Sequence, residues 1–211
     1  MTQTSPYPSP AERAEHDAQR LRDLILDTVE TIVEESGPGK LSVREVARRI
    51  SYAPASLYHY YANKNEMIAA VIARGGKRIG ERIRAAAAGH DDPLSALRAG
   101  FDAYIRYAVS MSALARLVYL VERPGKQMMQ PGESDRNPNL AFIASHVRAA
   151  REAGHVAVDD IDRTARCLWA AAQGLVIRMV LDRIPAGEEQ DRIIETYIDM
   201  LMRGIRTATT E

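Results

Sequence analysis

Apolar residues recur at three- and four-residue intervals from Leu21 to Ile205, and no stretch replaces that rhythm with a period of two. A chain patterned this way buries one stripe of each helix and has no strand to offer a sheet, so the fold class it dictates is all-α. Turn signals divide it into about nine helices. The first, 11–36, turns Leu21, Leu24, Ile25, Thr28, Val29, Ile32 and Val33 inward, and Gly37-Pro38-Gly39 stops it. Short helices are expected at 43–50 and 54–61, and a long one from Lys64 to Ala88. Asp92 caps the next, with Pro93 at its first position. A short helix at 113–121 and a Pro/Gly-rich loop at 122–138 follow. Helices then run from Asn139 to Ala153, from an Asp159 or Asp160 cap to Ile184, and from Glu188 to Thr207. Residues 1–10, with three prolines, read as a flexible tail.

The only cysteine of the 211 residues is Cys167, so no intrachain disulfide forms. No apolar run reaches the length of a membrane span, and the N-terminus has no secretory h-region, so the expected location is the cytoplasm. Net charge is zero but unevenly spread: residues 1–36 carry −5, 37–89 carry +7 and the remainder −2. A localised basic segment in a neutral chain attracts a polyanion with one face only.

That basic segment contains LSVREVARRISYAPASLYHYYANK. Ser42 with Glu45 three residues on reads as a capping box. Val43, Val46, Ala47 and Ile50 face inward. Ser51-Tyr52-Ala53 leaves room only for a tight turn, and Pro54 opens the next helix, whose Leu57 and Tyr61 face the core. Ser56, Tyr58, His59 and Tyr60 remain outside or on the flank. Two short helices joined by a three-residue turn form the unit that inserts its second helix into the major groove.

The run Ser56-Leu57-Tyr58-His59-Tyr60-Tyr61-Ala62-Asn63-Lys64 resembles the end of the DNA-binding head of the tetracycline-repressor (TetR) family, and the likeness extends from about Arg20 to Ile72. Trp169 to Gly174 resembles the family's penultimate helix. Two positions depart from the family pattern: Ser51 stands for the usual turn glycine, at a cost if the backbone is left-handed, and Ala53 stands for the usual serine, removing a cap. The resemblance implies an N-terminal helix-turn-helix head, a helical sensor and dimerisation domain, and a homodimer that binds operator DNA and answers to a small-molecule effector. It implies that Ser42, Tyr58, Tyr60 and Lys64 hold phosphates, that Arg44 reaches a base, and that His59 touches either. Ala53, Pro54 and Ala55, at the front of the recognition helix, are suited to thymine methyls. The expected division is a tail (1–17), a head (18–63), a connecting helix (64–88) and a sensor (89–211).

In the sensor half, aromatic bulk with a few polar handles marks Tyr104, Tyr107, Met111, Tyr119, Phe142, His146, Trp169 and Gln173 as pocket candidates. The apolar faces of the last two helices suit a tight antiparallel pair. The resemblance assigns them to a four-helix dimer interface made by Trp169, Ala172, Leu175, Val176, Met179, Ile194, Tyr197, Ile198, Leu201 and Ile205; a purely intrachain core is the alternative.

An enzyme is not expected. The acids at Asp159, Asp160 and Asp162 sit where a helix start favours negative charge. The five histidines share no ligand spacing, and no phosphate loop or nucleophile elbow occurs, so no metal and no cofactor is expected. A helical adaptor that has lost DNA binding is the other alternative.

Overall fold

The computed structural model describes residues 9–111 and 137–207, and their regular structure is helical throughout. In chain order the helices are α1 (Pro10–Ser36), α2 (Val43–Arg49), α3 (Pro54–Leu57), α4 (Lys64–Ala87), α5 (Pro93–Ser110), α6 (Pro138–Glu152), α7 (Ile161–Leu181) and α8 (Glu188–Ile205), with one 3-10 turn at Pro38–Lys40. The expected helix 113–121 and nearly all of the 122–138 loop lie outside the described residues.

Local chemistry accounts for most of the ends. Asp92 and Asp160 accept the backbone N–H groups of Ser95 and Arg163, each at 2.8 Å, as expected of N-caps. Gly37 closes α1 at φ 77, a conformation that glycine adopts without steric cost. One start differs from expectation. Ser9 and Glu12 form a reciprocal capping box that opens α1 at Pro10, inside what composition marked as tail. Leu24, expected in the inner stripe, is 44% exposed.

The chain forms two compact units, one ending at Arg74 and the other beginning at Gly75, both inside α4. The first unit packs Ile25, Val29 and Ile32 of α1 with Val46 of α2, Leu57 of α3 and Met67 and Val71 of α4, all fully buried. Arg74 binds back to α1, with Nη1 2.8 Å from Asp27 and Nη2 2.9 Å from Glu30.

The second unit is built on α5, which packs closely against α6, α7 and α8. Arg98 pairs with Asp199 and Arg106 with Asp191, so an eight-residue step up α5 matches an eight-residue step down α8. Those two pairs fix the antiparallel register of the helices. The expected tight pairing of the last two helices is not what forms: α7 and α8 each approach α5 closely, and not one another. An isolated bridge between Val156 and Arg206 ties the end of α8 to the turn after α6.

Candidate functional site

In the first unit α2 and α3 present the expected bihelical wedge, with Val43, Val46, Ala47 and Leu57 buried behind it. Ser42 caps α2 by accepting the N–H of Glu45 at 3.1 Å. The return half of the expected capping box is absent. Glu45 instead accepts Arg48 Nε and Nη2, at 2.8 and 2.7 Å, and Arg49 Nε at 3.1 Å. These hydrogen bonds, Arg48's foremost, lower the Glu45 carboxyl to about 2. Arg49 also reaches Glu35 at 2.7 Å. Two cations of the basic segment are thereby committed to acids. Arg44 and Lys64, both exposed, have no ion pair among the described residues.

The turn after α2 is a Schellman motif: Tyr52 N–H donates to Ala47 O at 2.9 Å and Ser51 N–H to Arg48 O at 3.4 Å. Ser51 takes the left-handed position at φ 59, as its place in the turn required. Ala53 opens α3 without a side-chain cap. The helix is shorter than the expected 54–61. Tyr60 N–H donates to Leu57 O at 2.9 Å, a three-residue step in place of the helical four, so the chain tightens after Leu57, although Tyr61 N–H still makes the four-residue step to the same oxygen at 3.0 Å.

Ala53, Pro54, Ala55, Tyr58 and His59 are exposed, while Ser56 and Tyr60 are half-buried. The Arg22 guanidinium lies 5.5 Å from the centre of the Tyr60 ring. Two contributors escaped the sequence reading. Asn63 caps α4 by accepting Asn65 N–H and Glu66 N–H, at 2.9 and 3.1 Å, and so sets Lys64 in its first turn. Tyr52 stands exposed in the turn, where turn length alone gives it no role beyond spacing.

In the second unit a cavity of about 10 Å³ lies among four helices. Leu97, Gly100, Phe101 and Tyr104 of α5 line it, with Asn139, Phe142 and Ile143 of α6, Ile83 of α4 and Trp169 of α7. The Tyr104 and Trp169 rings meet at 4.6 Å, tilted by 41°. Of the expected pocket residues, Tyr104, Phe142 and Trp169 converge here and four do not. Tyr107, three residues past Tyr104, is turned by the helix to lie under the Arg82 guanidinium at 4.4 Å. His146 stacks behind Phe142 at 4.1 Å, its Nδ1 2.8 Å from the Phe142 carbonyl. Gln173 is buried away from the cavity, and Met111 ends α5. Tyr119 lies outside the described residues. Gly100 is the missed element. A β-carbon there would sit 2.9 Å from Phe142 Cε1, so only glycine lets α6 bring that ring so close.

The expected dimer residues divide as well. Ala172, Val176, Met179, Ile194, Ile198 and Ile205 are buried in the chain's own core, so they have no surface left for a second copy. Trp169, Leu175, Tyr197 and Leu201 are half-buried around that core. The outward faces of the same helices carry other residues: Cys167, Gly174 and Leu181 on α7, and Met200, 66% exposed, and Gly204 on α8. A β-carbon on Gly174 or Gly204 would meet nothing within 4 Å among the described residues.

Residues 25–71 match the family model described as bacterial regulatory proteins, tetR family. The HTH-type transcriptional regulator UidR of Escherichia coli K12 is 24% identical over 168 residues, covering 76% of this chain and 82% of that protein. A tetR-family regulatory protein from Rhodococcus RHA1 superposes with a TM-score of 0.67 at 20% identity, over 89% of this chain and 97% of that one. A SmeT–triclosan complex superposes at 0.65 and 19% identity, over 90% and 94%.

Proposed function

We infer that this chain, a member of the tetR family of bacterial regulatory proteins, is a ligand-responsive transcriptional regulator that represses from a pseudo-palindromic operator and is released by a small molecule. The observation that carries this reading is the division of labour among cations on the wedge. Glu45 occupies Arg48 and Arg49, leaving Arg44 and Lys64 exposed on either side of α3 in sequence.

Arg44 is the base reader, its guanidinium forking to O6 and N7 of a guanine. Lys64 holds a phosphate from the first turn of α4, where the helix dipole favours an anion although Asn63 already takes two of the backbone N–H groups. Ser42, Tyr58 and Tyr60 hold further phosphates, with Ser56 and His59 alongside. Ala53, Pro54 and Ala55 present only small apolar groups, which fit thymine methyls. The working division is a head over 18–63, a connecting helix over 64–88 and a sensor over 89–211.

A second copy is required because an operator with two half-sites needs two wedges. Glycine inside a helix costs about 1 kcal/mol relative to alanine. Gly174 and Gly204 have no neighbour at a built β-carbon among the described residues to justify that cost, which supports a close-approaching helix from a partner. The effector acts by binding one form of the dimer better than the operator-competent form. The likeness to a structure solved with triclosan supports a small-molecule ligand.

The test is a mobility-shift assay of the full-length protein on the DNA upstream of its own gene. A discrete, salt-sensitive complex that survives excess nonspecific DNA is expected. Binding that nonspecific DNA abolishes would overturn the operator assignment.

A further inference from the structure

We propose that the cavity among α4, α5, α6 and α7 accepts an uncharged aromatic molecule and refuses charged ones. This rests on the regulator reading and names the chemistry of the effector.

The lining sets the charge. Among the described residues its polar side-chain groups are the Tyr104 phenol, the Asn139 amide and the Trp169 indole N–H, and none of them contributes a carboxylate, ammonium, guanidinium or imidazole to the lining. An ion placed there loses its hydration and gains no opposite charge. The Arg84 guanidinium lies beside Asn139 above Gly80 and is not part of the lining. An amide both donates and accepts, so Asn139 can satisfy one hydroxyl or carbonyl of a neutral guest.

The walls set the shape. Tyr104 and Phe101 are buried, whereas Phe142 and Trp169 are half-buried. As it stands the cavity holds room for about one water. A guest therefore enters by swinging the Phe142 and Trp169 rings outward, a rotamer change that leaves the helices in place. The Phe142 ring now fills the space a side chain at position 100 would occupy. Once it turns away, it uncovers a slot floored by bare Gly100 backbone and faced by Tyr104. Such a slot suits a flat ring, stacked or tilted against its aromatic wall.

The experiment is calorimetric titration of the full-length protein with three probes alike in size: 2-naphthol, 2-naphthoate and 2-naphthylmethylammonium at neutral pH. The neutral probe is expected to bind at least about tenfold tighter than either ion. Gly100→Val fills the slot and abolishes binding. Asn139→Ala, which leaves the packing of α5 untouched, weakens 2-naphthol by about tenfold if the amide is its partner. Either ion binding as tightly as 2-naphthol overturns the proposal. So does an absence of 2-naphthol binding, or an affinity unchanged in both variants. Operator binding without effector is measured separately by mobility shift, so a wrong ligand class and a wrong regulator assignment give different results.

Discussion

The carboxylate of Glu45 grips the guanidinium of Arg48 through two hydrogen bonds, 2.8 Å at Nε and 2.7 Å at Nη2, one turn along α2. Removing the carboxylate frees a cation on the proposed DNA-facing helix. Glu45→Gln is expected to raise affinity for nonspecific DNA and to steepen the salt dependence of binding by about one counterion. Titrating binding against salt, wild type beside variant, checks it; identical slopes would show that Arg48 lies out of reach of phosphate.

The same pair gives a pH dependence. The folded-state carboxyl of Glu45, at about 2, is depressed below its ordinary value of about 4.3. A depressed acid stabilises the fold fully above the unfolded value, and that contribution drains away as pH falls through the folded one. Wild type is therefore expected to lose stability relative to Glu45→Gln between about pH 5 and pH 2. Parallel denaturation curves across that window settle the point, and the gap between the two proteins should narrow steadily toward acid.

Arg44 and Lys64 are assigned different work and should fail differently. Arg44→Ala is expected to cost about 1–3 kcal/mol on the operator and to relax preference at one base pair. Lys64→Ala is expected to weaken all sequences alike and to flatten the salt slope by about one unit. Binding to a panel of single-base operator variants separates the two outcomes, and equal effects would erase the distinction between reader and anchor.

Much of this architecture was legible because caps and breakers act locally. Asp92 before Pro93, Asp160 before Ile161 and Gly37 after Ser36 each resolve an orphan backbone group within a few residues. What escaped depends on partners distant in sequence. Tyr58 to Tyr61 continue the helical spacing of α3, yet Tyr60 N–H takes the three-residue step to Leu57 O, a tightening that periodicity does not encode. Glu45 sits correctly for a capping box, but two arginines compete for it and win by charge. In the sensor, residue type marked Tyr104 and Tyr107 alike, while helical phase sends one to the cavity and the other beneath Arg82. An apolar stripe announces burial and is silent on what buries it. Ala172 and Ile198 are covered by their own chain, and the outward faces of the same two helices carry small residues instead, Gly174 and Gly204.

Ser51 pays for its place in the turn. At φ 59 a residue with a β-carbon is strained, and the Schellman hydrogen bonds leave the backbone no alternative. Ser51→Gly is expected to stabilise the first unit by about 0.5–1 kcal/mol, the relief of strain exceeding the extra freedom glycine gains when unfolded. Chemical denaturation measures it. A decrease would mean that the serine side chain supplies something the hydrogen-bond pattern does not reveal.

Met200 and Gly174 test the proposed partner surface without touching the core. Met200 is 66% exposed and Gly174 has open space where a β-carbon would stand, so neither Met200→Glu nor Gly174→Leu disturbs the packing around Val176 and Ile198. A bulky or charged side chain on a surface that a second copy approaches closely obstructs association, whereas on a free surface such changes stay within about 0.5 kcal/mol. Sedimentation is expected to show the wild type as a dimer and each variant shifted toward monomer, with helical content and the core's melting preserved. Operator affinity should fall alongside, because a single wedge engages one half-site and forfeits the gain of binding both together. Variants that remain dimeric would move the interface off these faces of α7 and α8.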